Sequence, residues 1–422
     1  MPDRRDSPGL QRAVGLFGAT ALGIGAIIGS GIFIVTGIVA GIAGPAMFFS
    51  IIIAGAIAAF SAMSVAELSA FLPEEGGTYA YAYQLISPFA GFMAGWIWIF
   101  SNIFVGAAVS LGFAQYGIVI FPEVPLKVLA LLVCVVFLAI NYIGIRESML
   151  LNNVLVIIKV LILIFFIVFC LLFFRTENFL PLAPQGSTGI PGGAALIFFA
   201  YTGFARVTLM AEEVKEPEHT IPRSIFLALG ISTVLYLLVS IVAVGIAGAP
   251  TLAHSASPLA DAIGNTGYPA SILVVSAGAM IATASVLLTT ILGISRIVFS
   301  MARSRDLPAV FGRIHPRFRT PHFAIAGTGA AMIGALLLAD LALVVAVSTF
   351  AMLFFYLIAN IAAFRLPEDH RLYPRWVPMV GALSCAGLIV FLSRDAWIIG
   401  CTGLLIGIVW FLFRKKTCGY TA

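Results

Sequence analysis

The 422-residue chain is 61% hydrophobic and only 10% charged, and its mean hydropathy is +1.10. Because a soluble domain carries about 25% charged residues, this composition excludes a water-soluble enzyme, a nucleic-acid-binding domain and a disordered chain. The net charge of +5 needs no nucleic acid to explain it, since the cytoplasmic loops of membrane proteins collect Lys and Arg. The composition predicts an all-α membrane protein whose surface contacts lipid.

The chain begins with a polar segment, residues 1–12, that lacks the apolar core and cleavage site of a signal peptide. A membrane-spanning helix needs about 20 apolar residues, and twelve segments of the sequence are suitable. Predicted helices 1 to 12 comprise residues 13–38, 44–70, 88–119, 125–145, 152–174, 191–212, 225–247, 269–301, 323–340, 342–364, 376–392 and 396–413. Residues 414–422 form a short tail, and no linker is long enough to hold a soluble domain.

The basic residues predict which helix ends face the cytoplasm. With the N-terminus inside, 17 of the 23 Lys and Arg residues lie in cytoplasmic segments, 3 in outer loops and 3 within spans. Such an excess of positive charge on one side is the general rule for cytoplasmic loops. We therefore expect a multi-pass protein of the cytoplasmic membrane with both termini in the cytoplasm.

Two predicted helices contain similar interruptions. Predicted helix 1 carries Gly29-Ser30-Gly31, and predicted helix 6 carries Tyr201-Thr202-Gly203. Glycine costs a helix about 1 kcal/mol relative to alanine, so these sequences favour a break in the middle of the membrane. The alternative is close packing of unbroken helices through small residues.

The positions of the interruptions indicate an internal repeat. Each lies in the first helix of a set of five, which places helices 1–5 at residues 13–174 and helices 6–10 at residues 191–364. Because five is an odd number, the second set must enter the membrane from the opposite side, as in transporters with inverted repeats. Helices 11 and 12, residues 376–413, are additional. Broken backbone is tolerated at this depth only where it lines a cavity.

Four motifs in the same order resemble the amino acid–polyamine–organocation (APC) superfamily of amino acid permeases over nearly the whole chain. They lie at residues 23–33 in helix 1, 66–79 after helix 2, 198–223 around helix 6, and 295–308 after helix 8. The resemblance implies the LeuT-type fold, with discontinuous helices 1 and 6 and a substrate between them.

The resemblance and the chemistry of a helix break together predict the substrate-binding residues. The N-terminal end of a half-helix offers N–H groups and a positive dipole end to a carboxylate. The unwound carbonyls of helix 6 suit the ammonium group of an amino acid. The predicted contacts are Ile27, Ser30 and Gly31 for the carboxylate, and Phe199, Ala200 and Thr202 for the ammonium.

The residues predicted near the substrate side chain are mostly neutral. Many relatives have a glutamate after the Gly-Phe pair of helix 6, whereas this chain has Ala205 followed by Arg206. A cationic substrate would need a buried carboxylate, so we expect neutral amino acids. Tyr201 and Phe204 are predicted either to close over the substrate or to pack against neighbouring helices.

Lys159 is the charge most informative about energy coupling. Counted from Asn152, it lies about 10 Å along helix 5. Some sodium-independent relatives place a helix 5 lysine where sodium-coupled members bind an ion. The resemblance therefore implies that Lys159 contacts the carbonyls of Gly25 and Ile28 and the hydroxyl of Ser285, and that it couples transport to protons. The alternative is that Lys159 extends back to the membrane interface.

Arg206 has two interpretations as well. It either extends to the cytoplasm or forms part of an inner gate, paired with Glu67. The sequence contains no nucleophile constellation, metal-ligand spacing or phosphate-binding loop. We therefore expect neither an enzyme nor an ATP-driven pump, and neither a metal nor a cofactor.

The sequence thus predicts a secondary transporter of L-amino acids that is coupled to protons and independent of sodium. Within this class, an exchanger or an exporter without proton coupling is an alternative. A sensor that binds an amino acid without moving it is an alternative from another class, although it would need an output domain. A channel would need a continuous polar pore lining, which the sequence does not show. The sequence does not predict the oligomeric state.

Overall fold

The computed structural model describes residues 14–72, 77–144 and 149–418. For residues 149–150, 209–213 and 416–418 it describes the backbone alone. The predicted N-terminal segment 1–12 and the last residues of the predicted tail, 419–422, lie outside the described residues, as does part of the motif after helix 2.

The described residues form sixteen α-helices. In chain order these are α1 (Leu16–Ile27), α2 (Thr36–Ala43), α3 (Met47–Phe71), α4 (Thr78–Leu85), α5 (Pro88–Ile120), α6 (Leu126–Ile143), α7 (Met149–Leu171), α8 (Gly189–Tyr201), α9 (Pro217–Ala247), α10 (Ala249–His254), α11 (Pro258–Gly264), α12 (Pro269–Arg303), α13 (His322–Leu338), α14 (Leu341–Phe364), α15 (Trp376–Val390) and α16 (Arg394–Cys418). A π-helix precedes α2 at Gly31–Val35, and a 3₁₀-helix follows α8 at Phe204–Glu213. Shorter 3₁₀ turns are Gly44–Ala46, Thr176–Phe179, Ala309–Gly312 and Glu368–His370.

The chain is a helical membrane protein. Nine stretches of the described residues are long and apolar enough to cross a membrane, and no strand occurs among these residues. The first stretch, Leu16–Phe71, is 56 residues long and includes most of predicted helix 1 and all of predicted helix 2. Two shorter apolar helices, His322–Leu338 and Trp376–Ile389, coincide with predicted helices 9 and 11. The total of twelve crossings and the inverted repeat remain predictions.

Several short helices were not predicted from the sequence. α4, α10 and α11 have only six to eight residues each, so they cannot produce the long apolar segment by which spans are recognised. Helix α9 begins at Pro217, eight residues before the start predicted for helix 7. Its start is consistent with the preference of proline for the first turn of a helix, and Pro222 lies inside the helix.

Burial distinguishes the centre of the bundle from its periphery. In an 18-residue apolar segment of Leu16–Phe71, 78% of the residues are buried. In the corresponding segments of Leu126–Ile143 and Arg394–Lys415, the buried share is 22% each. Helices α6 and α16 therefore present most of their apolar side chains outward, as lipid-facing helices do. The stretch Leu16–Phe71 therefore contributes to the centre of the bundle.

A buried ion pair fixes the end of the bundle where α12 and α16 terminate. Asp306, which follows α12 and is 1% exposed, pairs with the guanidinium of Arg414 on α16. The Tyr79 hydroxyl on α4 donates to the other carboxylate oxygen at 2.7 Å, and Trp410 Nε1 donates to the backbone carbonyl of Asp306 at 2.9 Å. These contacts join α4, α12 and α16 at one point.

We expect Asp306→Ala to destabilise the protein strongly. Removal of one partner of a buried pair leaves the other charge buried without compensation, which typically costs about 3–5 kcal/mol. The measurement is the melting temperature of the purified protein in detergent. Glu368→Ala is the matched control, because Glu368 pairs with Arg375 at 2.9 Å on the surface, where both side chains are more than half exposed and a pair contributes about 0–1 kcal/mol. Equal melting temperatures for the two variants would contradict this prediction.

Candidate functional site

The first span is interrupted at the predicted position. Helix α1 ends at Ile27, and Ile28 leaves the helical conformation with φ −76° and ψ 89°. The chain becomes helical again through the π-helix that begins at Gly31. Such wide turns are rare and often occur at functional sites.

The sixth predicted helix is interrupted as well. Helix α8 ends at Tyr201, the chain turns at Thr202 and Gly203, and it continues as the 3₁₀-helix Phe204–Glu213. Runs of 3₁₀-helix longer than three or four residues are uncommon, because their hydrogen bonds are poorly aligned. This ten-residue run indicates a segment whose conformation is imposed by its neighbours.

The two interruptions meet backbone to backbone. A Cβ atom at Gly203 would lie 2.1 Å from the Ala26 carbonyl oxygen, and a Cβ atom at Gly31 would lie 2.5 Å from Ala200 Cα. No side chain can move aside to relieve contacts of this kind, because the atoms involved belong to the backbone. Glycine at both positions is therefore a steric requirement of the site.

Three buried tyrosines satisfy carbonyl groups at the interruptions. Tyr236 on α9 donates its hydroxyl to Ile27 O at 2.7 Å and lies 3.2 Å from Ala200 O. Tyr356 on α14 donates to Thr202 O at 2.8 Å, and Tyr116 on α5 donates to Phe33 O at 2.6 Å. Backbone groups without a partner are costly inside a membrane. Sequence analysis missed these residues, although isolated tyrosines within apolar segments were a usable signal.

A small central cavity lies at the meeting point of the two interruptions. Its volume is about 20 Å³, close to the space one water molecule needs. Val105, Val286 and Met352 form its apolar wall. It is also lined by six of the residues predicted to bind substrate, namely Ile27, Ser30, Gly31, Phe199, Ala200 and Thr202. In this conformation the cavity is therefore too small for an amino acid, and the binding roles of these residues remain predictions.

Two of the three carbonyls predicted to bind an ammonium group already accept hydrogen bonds. Phe199 O accepts from the Thr202 hydroxyl at 2.9 Å, and Thr202 O accepts from Tyr356. Ala200 O lies 3.2 Å from the Tyr236 hydroxyl, whose proton is donated to Ile27 O. A carbonyl oxygen has two lone pairs. Phe199 O also accepts the Thr202 backbone N–H at 3.4 Å, so Ala200 O and Thr202 O are the two that can still accept from a ligand. The protein bonds fix the direction in which the remaining lone pairs point.

The two aromatic residues proposed as a lid lie outside the lining of the central cavity. Tyr201 is fully buried, and its hydroxyl is 3.4 Å from Ile51 O on α3. Phe204 stacks on Tyr356 with ring centroids 4.8 Å apart. In this conformation both side chains occupy the packing positions that were the alternative interpretation.

Lys159 is a residue of α7, and its side chain contacts α1, the first part of the interrupted span. Lys159 is 2% exposed, and its Nζ donates to Gly25 O at 3.2 Å. A Cβ atom at Gly25 would lie 2.7 Å from Val156 Cγ2, so glycine allows α7 to approach α1 here. The Ser285 hydroxyl donates within its own helix to Ala282 O at 3.0 Å. Burial of the side chain argues against extension to the interface, while the coupling role of Lys159, Gly25, Ile28 and Ser285 remains a prediction.

Arg206 lies at the boundary between the central cavity and a larger vestibule of about 220 Å³. Its guanidinium donates to the hydroxyls of Thr289 at 2.7 Å and Thr290 at 2.8 Å, both on α12. The proposed pairing with Glu67 is wrong for this conformation, because Glu67 instead accepts the backbone N–H of Leu372 at 2.9 Å. The reason is that the end of α3 carries Glu67 to the loop between α14 and α15.

We expect Gly203→Ala to destabilise the site. Overpacking typically costs about 1–3 kcal/mol, occasionally more, and here the added methyl group meets backbone atoms. The melting temperature and the binding of an amino acid should both fall. Gly230→Ala on α9 is the control, since a Cβ there has no atom within 4 Å and should keep both properties. A Gly203→Ala variant as stable as the control would disprove the steric requirement.

Tyr236→Phe tests whether the hydrogen bond from this tyrosine to the interrupted backbone stabilises the protein. The change deletes one hydroxyl and leaves Ile27 O without that donor, at a cost of about 1–3 kcal/mol for a buried group. The expected result is a lower melting temperature in detergent. Tyr268→Phe is the control. Tyr268 is 57% exposed, so removal of its hydroxyl leaves no buried carbonyl without a donor and should not change the melting temperature. Unchanged stability of Tyr236→Phe would show that water or another group replaces the hydroxyl.

Comparison with known proteins identifies the family of the chain. The sequence model of the family described as amino acid permease matches residues 14–414. An uncharacterized transporter of Mycobacterium tuberculosis is 34% identical over 416 residues, covering 98% of this chain and 94% of the relative. Two proteins of Bacillus subtilis also align with nearly the whole of this chain.

The first Bacillus subtilis relative, the branched-chain amino acid permease BcaP, is 31% identical over 439 residues, covering 96% of this chain and 94% of the relative. The second, a methylthioribose transporter, is 32% identical over 443 residues, covering 97% and 95%. These similarities indicate a transporter and confirm the resemblance drawn from the four motifs. The chain is a multi-pass membrane protein of the amino acid permease family within the APC superfamily.

Proposed function

We propose that the protein is a secondary active transporter that carries L-amino acids across the cell membrane by alternating access. The observation that carries this proposal is the meeting of two interrupted spans around a small central cavity. Interrupted helices at such a site supply free backbone groups that bind a charged substrate. The cavity must widen to admit an amino acid, and alternating exposure of the site would supply that change.

The substrate would be bound mainly by backbone. Its carboxylate would face the chain around Ser30 and Gly31, where the π-helix begins. Its ammonium would contact the carbonyls of Ala200 and Thr202, which line the opposite side of the same cavity. Because neither group of ligands contains an ionised side chain, this part of the site would recognise the features that all amino acids share.

The substrate side chain would extend toward Val105, Val286 and Met352. No aspartate or glutamate lines the central cavity or the vestibule among the described residues. A cationic side chain would therefore be desolvated without a partner, which favours neutral amino acids over cationic ones. The relative named as a branched-chain amino acid permease is consistent with this preference.

The driving force would be a proton gradient, with no requirement for sodium. Lys159 donates to Gly25 O, immediately before the interruption of the first span. A protonated lysine at this point would occupy the place of a bound cation and donate to the carbonyl that such a cation would otherwise coordinate. Loss of its proton would weaken this contact and so link protonation to the position of α1.

The proposed topology has twelve crossings, with both termini in the cytoplasm and inverted repeats at residues 13–174 and 191–364. In this orientation α12 ends on the cytoplasmic side, so the vestibule beside Arg296 and Ser300 would lie between the central cavity and the cytoplasm. The vestibule would then be the route by which the substrate leaves.

Lys159→Ala provides the test of proton coupling. In proteoliposomes, wild-type uptake of a neutral amino acid should follow an imposed pH gradient and be indifferent to sodium. The variant should lose the pH dependence because the proton-binding group is absent, while equilibrium binding persists. Gradient-driven uptake by Lys159→Ala at the wild-type level would assign proton coupling to another group.

Lys127→Ala is the matched control for this experiment. Lys127 also donates its Nζ to a backbone carbonyl, Leu337 O at 2.7 Å, but at an exposed position. It should therefore retain both uptake and its pH dependence. The same loss in both lysine variants would indicate general damage to the protein instead of removal of a coupling group.

A further inference from the structure

Arg206 is placed where it can contact a substrate side chain. Three residues, Ala26, Asn102 and Arg206, line both the central cavity and the vestibule, and Arg206 is the charged one among them. No other charged side chain lines the central cavity within the described part of the chain. A ligand that fills this cavity toward the vestibule would therefore meet a guanidinium.

The charge of Arg206 is only partly compensated in the described structure. Its hydrogen bonds go to the uncharged hydroxyls of Thr289 and Thr290, which use two of the five N–H donors of a guanidinium. No described aspartate or glutamate pairs with it. Ionisable residues inside membranes are costly, and they mark ligand pathways or pair with an opposite charge. A ligand carboxylate would supply the missing charge.

We propose that Arg206 forms an anion-binding subsite that extends the substrate class to acidic amino acids, with the side-chain carboxylate of L-glutamate or L-aspartate paired to its guanidinium. This inference rests on the proposed function, because the backbone-binding part of the site must hold the α-carboxylate and the ammonium. Charge-assisted hydrogen bonds are about twice as strong as neutral ones, so the acid is favoured over its amide. The same charge repels a cationic side chain.

Asn102 has the opposite effect to Arg206, because it favours the amide of glutamine over the carboxylate of glutamate. Its Nδ2 donates to Trp98 O at 2.9 Å, which fixes the orientation of the amide. Its buried Oδ1 has no hydrogen-bond partner among the described residues. That acceptor suits the NH₂ group of glutamine and disfavours a carboxylate. Glutamate and glutamine have nearly the same shape, so comparing them measures which residue dominates.

The experiment is equilibrium binding of radiolabelled L-glutamate, L-glutamine and L-leucine to the purified protein, where no gradient contributes. We expect wild type to bind glutamate at least tenfold more tightly than glutamine. Arg206→Gln should reduce this ratio at least tenfold, whereas Arg206→Lys should retain a preference for glutamate because it keeps the charge. Arg296→Gln is the matched control, since Arg296 lines the vestibule but not the central cavity, and it should leave the ratio unchanged.

The outcomes separate the two proposals. A wild-type protein that binds glutamine as tightly as glutamate, or an Arg206→Gln variant with an unchanged ratio, would overturn the subsite and leave amino acid transport intact. Failure of all three amino acids to bind would instead contradict the proposed function. If Arg206→Gln does not fold, the wild-type ratio and the Arg206→Lys variant still decide the question. A purely structural role for Arg206 would change the affinity for all three amino acids together.

Discussion

The close approach of two interrupted backbones is the constraint on which the rest of the structure depends. Gly203 lies against the backbone of Ala26, and Gly31 lies against that of Ala200. Any side chain at either glycine would force the two spans apart and enlarge the cavity between them. The small residues of the site thus determine both its location and its volume. Because both segments are irregular, some of their carbonyls accept hydrogen bonds from side chains of neighbouring helices.

An irregular backbone inside a membrane needs hydrogen-bond partners, and the surrounding helices provide them. The hydroxyls of Tyr116, Tyr236 and Tyr356 come from α5, α9 and α14, and all three side chains are fully buried. Each hydroxyl is held by a large aromatic ring in the packed core, so the donor cannot easily move away. This arrangement stabilises the interruptions.

Charge in the central region is sparse and basic. Lys159 contacts the first interrupted helix, and Arg206 is held by threonine hydroxyls at the boundary of the two cavities. The cavity linings contain no acidic side chain among the described residues. Such a site has no counter-charge for a cationic side chain. It combines an apolar wall with the guanidinium of Arg206, which can donate to a hydrogen-bond acceptor. In the proposed mechanism, electrostatics and shape would select the substrate at different points of the same cavity.

The sequence by itself determined the membrane class, the family and the two interruptions. Long apolar segments, glycine clusters and ordered motifs are local in sequence, so no contact information is needed to detect them. The sequence also identified six residues that line the central cavity, because the family resemblance specifies their positions relative to the breaks. It did not reveal the short helices α4, α10 and α11, whose lengths are below that of a membrane span.

Only the tertiary structure decided which distant groups meet. The hydroxyl of Tyr236 reaches a carbonyl 209 positions earlier in the chain, and Arg206 reaches Thr289, 83 positions later. It also placed Glu67 against the loop after α14 and turned Tyr201 toward α3. These contacts depend on the rotation and depth of each helix in the bundle. Rotation and depth are set by packing against several neighbours at once, which no single segment of the sequence encodes.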